Sequence, residues 1–145
     1  MLVVSNHTAW WDPLVAILLS HRILNTDGFA LMDAKNLRRL PFFGRVGAFG
    51  VDLDDQRDGA RAIRYAAKLL TAKEPSRRRL VWIFAQGREM PVTTRPLAFR
   101  RGAAEISKLA KAAPSLSVVP IALRYEMGSK ADPALWIACG TPMRG

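Results

Sequence analysis

Short apolar, β-branched or aromatic runs recur along the whole chain and set the tightest limit on its fold. They lie at Leu2–Ser5, Phe29–Met32, Phe49–Asp52, Leu80–Phe84, Val118–Leu123 and Leu135–Cys139. Each has the length of a strand, and the segments between them carry helical periodicity. Strands that alternate with helices close as neighbours in one sheet, with the helices packed across it, so the pattern predicts an α/β fold. The expected architecture is a single domain over residues 1–145, with a central mostly parallel or mixed sheet and helices on both faces. The sequence shows no internal repeat or linker.

Asp12-Pro13 opens the first helix, with Asp12 as N-cap, Pro13 at the first helical position, and Leu14, Ile17 and Leu18 at helical spacing. The clearest helix spans Arg57 to Lys73. Ala60, Ile63, Ala67 and Leu70 line one face, and Arg57, Arg61, Arg64 and Lys68 form a basic stripe on another. Asp52, Asp54, Asp55 and Asp58 stand where a helix N-terminus favours negative charge, and are read as its caps. His21-Arg22 reads as the matching compensation at the C-terminal end of the first helix. A third helix, Arg101 to Ala112, points Ile106 and Leu109 inward and exposes Lys108 and Lys111. Asn6–Trp11 and Ala85–Phe99 fit neither period. A loop as long as the second, with Gly87, Pro91 and Pro96, is read in a compact domain as either functional or disordered.

Charge narrows the partners. Lys plus Arg number 22 against 12 Asp plus Glu, a net +10. Such an excess suits a nucleic acid, an anionic membrane surface or a phosphorylated ligand. No nucleic acid is expected, since no binding motif is present and no aromatics interleave the basic stripe. A lone cysteine, Cys139, rules out an internal disulfide and a four-cysteine zinc site; in a strand it is expected to be buried. No second histidine stands at metal-ligand spacing from His7, so no metal is expected. No run approaches the roughly 18 apolar residues of a spanning helix, and the N-terminus lacks the pattern of a signal peptide. The expected location is cytoplasmic, peripheral on the inner face of the membrane.

The chemistry concentrates in Asn6-His7-Thr8-Ala9-Trp10-Trp11-Asp12, between a strand and a helix start. Open α/β sheets place their sites there, beyond the carboxyl ends of strands. A histidine takes a proton near neutral pH, and a carboxylate five positions on can orient its ring and stabilise the imidazolium. The same residues also admit a structural reading, Asp12 as a cap and His7 as a loop residue.

Asn6-His7-x4-Asp12 resembles the first block of the glycerolipid acyltransferases, typified by 1-acylglycerol-3-phosphate acyltransferase. Further blocks follow in that family's order: Ala34-Lys35-x-Leu37-x3-Pro41-Phe42-Phe43-Gly44, Gly47-Ala48-Phe49-Gly50-Val51-Asp52, Phe84-Ala85-Gln86-Gly87, Phe99-Arg100-Arg101-Gly102-Ala103, Val119-Pro120-Ile121 and Cys139-Gly140-x-Pro142. The resemblance covers nearly the whole chain and implies acyl transfer. His7 would be the general base and Asp12 its orienting partner. Gln86, Gly87, Arg88 and Arg100 would bind substrate. No cofactor is implied, with acyl-CoA or acyl carrier protein as co-substrate and a lipid hydroxyl as acceptor.

The blocks also depart from the family. Leu53 stands where the second block ends in an arginine, and Gln86-Gly87-Arg88-Glu89 replaces Glu-Gly-Thr-Arg, leaving no carboxylate at residue 86. Arg95, Arg100 and Arg101 supply cations nearby, and an unphosphorylated lipid acceptor becomes credible beside a lysophosphatidate. Relative to the family the chain is expected to be truncated at both ends. The alternative is a non-catalytic lipid- or acyl-binding relative. Trp10-Trp11 is read as core or pocket packing, and Arg77-Arg78-Arg79 either as a solvated turn or as a contact for phosphates.

Overall fold

The computed structural model describes residues 1–72, 77–113, 116–129 and 132–145. The first apolar run forms β1 (Leu2–Ser5) in the middle of the sheet, with β4 (Arg79–Phe84) and β5 (Ser117–Met127) parallel on either side. Strands there are covered on both faces, so β1 and β4 read as continuous apolar runs instead of alternating ones. β2 (Asp27–Asp33) lies parallel to β4, and β3 (Ala48–Val51) parallel to β2. β6 (Pro133–Cys139) and β7 (Met143–Arg144) run antiparallel to β5. The result is a seven-stranded, mixed, mostly parallel sheet in the order β3-β2-β4-β1-β5-β6, with β7 also on β5. The α/β expectation holds.

Successive residues of the central strands feed two cores. Leu2, Val81 and Ile83 pack with Ala66, Ala67 and Leu69 of α4 (Gln56–Thr71), with Ile106 of α5 (Gly102–Leu109) and with Ala110. Val3, Leu80, Trp82 and Phe84 point the other way and pack with Ala16 of α1 (Asp12–Leu18). Helices therefore cover both faces. Asp55 caps α4 by accepting from the Arg57 N–H at 2.8 Å, and Asp58 accepts from the Asp52 N–H at 2.7 Å, so the acidic group secures this helix start as expected.

α1 runs into a π-helical turn, Leu19–Ile23, which seats Ser20 against the sheet. The Ser20 hydroxyl donates to the Ala16 carbonyl at 2.7 Å and accepts the Trp82 Nε1–H at 2.9 Å. Gly28 allows this approach, because a Cβ there would stand 2.6 Å from that of Ser20.

Several elements differ from the sequence reading. β2, β5 and β6 extend beyond their apolar stretches, because ladder pairing continues through polar residues such as Arg124 and Glu126. α2 (Ala34–Arg39), α3 (Phe42–Arg45) and β7 were too short to carry a period of their own. Asp33 caps α2 from the Lys35 N–H at 2.6 Å, and the chain leaves the helix before Pro41. α5 stops at Leu109, which is 51% exposed; Ala110 is buried in its place. α4 ends at Thr71, and Lys73, its expected end, lies outside the described residues. Cys139 is exposed, since β6 is an edge strand uncovered along its length.

Candidate active site

β1 and β4 are register partners up to Ser5 and Phe84, and their connections then part. The chain leaving β1 enters α1 on one face, and the chain leaving β4 reaches α5 on the other. Adjacent strands whose connections diverge open a crevice at their carboxyl ends. Asn6–Trp11 and the long loop after Phe84 meet across it. The Gln86 side-chain oxygen accepts the His7 N–H at 2.8 Å, and the Met90 N–H donates to the His7 carbonyl at 2.8 Å.

Inside this loop the His7 ring and the Asp12 carboxylate come together, with Nδ1 2.8 Å from Oδ2. The same carboxylate oxygen accepts the Thr8 N–H at 2.7 Å and the Ala9 N–H at 3.0 Å, and Oδ1 accepts the Tyr125 hydroxyl at 2.6 Å. Asp12 is wholly buried. Burial alone would disfavour its charge, but the donors from His7, Tyr125, Ala9 and Thr8 outweigh it and hold the carboxyl below its ordinary value. An ionised carboxylate only accepts hydrogen bonds, so Nδ1 carries the proton and neutral His7 keeps its Nε2 lone pair. Phe84 stacks on the ring at 4.5 Å and fixes its plane. Asp12 is not the N-cap expected of it. Trp11 occupies that position without a side-chain cap, and Asp12 turns back into the loop instead.

A cavity of about 710 Å³ opens beside His7. Its wall is largely apolar, from Ile17, Phe29, Leu31, Phe43 and Val51, with Gly28, Ala30 and Ala48 leaving room on β2 and β3. Arg88 and Arg100 line it near Gly87. Gly87 has φ +70°, and a Cβ there would meet the Arg100 side chain at 2.8 Å, so the arginine lies directly over the glycine. Leu53 lines the same cavity, while Arg57 is exposed on α4. The structure therefore brings His7, Asp12, Gln86, Gly87, Arg88 and Arg100 to one crevice. Gln86 is buried and meets the His7 backbone, whereas Arg95 donates to the Val92 and Thr94 carbonyls of its own loop.

Of the two readings for Trp10-Trp11, the pocket one holds for Trp10, which lines the cavity, and the core one holds for neither, since Trp10 is 61% and Trp11 39% exposed. Arg77 and Arg78 are exposed and Arg79 begins β4. The sequence reading missed Asn6 as a clamp: its side chain donates to the Leu123 carbonyl and accepts the Leu123 N–H, both at 2.8 Å. It also missed Tyr125, for which no local pattern gave a signal.

These features define an α/β protein with a histidine–aspartate pair at the mouth of an apolar cavity. The profile of the Acyltransferase family matches residues 1–124, and the chain belongs to that family. Acyl transfer is the chemistry of the family. No curated protein matches the chain. No solved structure matches it either.

Proposed function

We propose that this protein moves a fatty acyl group from a thioester, on coenzyme A or an acyl carrier protein, to the hydroxyl of a glycerolipid or related lipid. The observation that carries the reading is the His7–Asp12 contact at 2.8 Å, made through Nδ1, beside an apolar cavity of about 710 Å³. His7 Nε2 takes the proton of the acceptor hydroxyl as its oxygen attacks the thioester carbonyl carbon. The carbon–sulfur bond then breaks, and the imidazolium returns the proton to the departing thiolate. Asp12 keeps the ring in the required tautomer and balances the transient positive charge. Arg88 and Arg100 suit an anionic portion of donor or acceptor, and the apolar wall suits the acyl chain. Leu53 in that wall is compatible with an acceptor that lacks a phosphate at this point.

The exposed side chains of Trp10, Trp11, Leu14 and Leu18, with His21 and Arg22 beyond them, suit a peripheral seat on an anionic leaflet at the cytoplasmic face. A non-catalytic binding relative would have no need of a fully bonded, buried carboxylate behind a histidine. The two readings separate in a thiol-release assay with acyl-CoA and a panel of lipid acceptors. The expected result is release that drops by about 10²- to 10⁴-fold in His7→Ala, the usual share of general acid–base catalysis. Equal release by His7→Ala and the unaltered protein would remove the mechanism.

A further inference from the structure

Asp12 uses its two oxygens differently. Oδ2 accepts from His7, Thr8 and Ala9, all within its own loop, so these bonds shape the loop without holding it to the sheet. Among the described residues Oδ1 has one partner, the Tyr125 hydroxyl, which comes from a strand 113 positions away. Two residues earlier on that strand, Leu123 holds the Asn6 side chain through both backbone groups. β5 thus grips the segment at the first residue of the loop, Asn6, and at Asp12, where α1 begins.

We infer that Tyr125 is a positioning residue for the His7–Asp12 pair, its hydroxyl fixing Asp12 Oδ1 so that Oδ2 faces the imidazole. The inference rests on the acyl-transfer reading and deepens it. Tyr125 is not among the residues lining the cavity, so it acts through Asp12 and not on substrate. Trp11 meets its ring edge-on, with centroids 5.5 Å apart, and limits rotation of the phenol. Burial, then the hydrogen bond and charge of Asp12, push the phenol above its ordinary range, so it stays a donor at any working pH. The family match ends at residue 124, one position before this tyrosine.

Tyr125→Phe keeps the ring against Trp11 and removes only the hydroxyl. The expected kcat for thiol release falls about tenfold, as for loss of one charge-assisted hydrogen bond, while KM for the thioester stays within about twofold. The acidic limb of the pH–rate profile moves to higher pH, because Asp12 then directs more of its charge at the imidazolium. In protein labelled at histidine, the His7 ring resonances move and those of His21 do not. Difluorotyrosine at position 125, a stronger donor of nearly the same shape, moves the limb to lower pH and carries the test if the phenylalanine variant does not fold. Unchanged kcat, pH limb and His7 resonances in these variants would overturn the inference. A moved His7 resonance in a protein that releases no thiol would instead sink the acyl-transfer reading and leave the positioning role standing.

Discussion

At the scale of single residues, the site depends on how one buried carboxylate stays charged. Removing Asp12 from water disfavours its ionised form, and donors from two side chains and two backbone amides reverse that balance. A consequence follows for acid stability. The folded-state value lies below the ordinary 3.8, so the stabilisation is complete above that value and is lost as the pH falls toward the lowered one. Asp12→Asn removes this component, and its urea midpoint is expected to change less between about pH 6 and about pH 3 than that of the unaltered protein. The same variant lets the amide donate toward His7 and favours the wrong tautomer, so kcat is expected to fall by about 10⁴-fold, as in other histidine–aspartate systems. A pH series of unfolding curves and a steady-state assay check the two expectations separately.

At the scale of elements, a loop without helical or strand period becomes rigid by borrowing order from strands. Asn6 occupies both backbone groups of Leu123, and Gln86 holds the His7 amide from the end of β4. Asn6→Ala leaves the Leu123 N–H and carbonyl without those partners, and a loss of about 2 kcal/mol in unfolding free energy is expected from denaturant curves with unchanged slope. Strand and helix existence was legible where a period or an apolar run was long enough: β1, β4 and α4 lie close to the limits read from sequence. The π-helical turn was not, because it depends on Ser20 meeting Trp82 and on the bare surface of Gly28. Leu109 and Cys139 were misread for one reason: an apolar residue on a suitable period still needs a covering layer, and neither has one.

At the scale of the molecule, apolar and cationic side chains share the α1 region beside the cavity. Trp10, Trp11, Leu14 and Leu18 are exposed there, and the chain as a whole carries +10. Binding to anionic vesicles is therefore expected, weaker on neutral ones, and released by salt as the screening length falls from about 10 Å at 0.1 M to about 3 Å at 1 M. Trp10→Ala with Trp11→Ala is expected to weaken vesicle binding further, measured by co-sedimentation. Binding that is indifferent to salt, to lipid charge and to both tryptophans would refute this surface. The sequence by itself determined the α/β class, because alternating periods are local patterns, and it offered His7 and Asp12 as a candidate pair only through the family resemblance of the ordered blocks around them. Tertiary structure alone decided that Tyr125 and Gln86 meet that block, across 113 and 79 positions, and that the tryptophans face solvent. Those contacts follow from the order of strands in the sheet, which brings together residues whose separation along the chain carries no trace of their proximity.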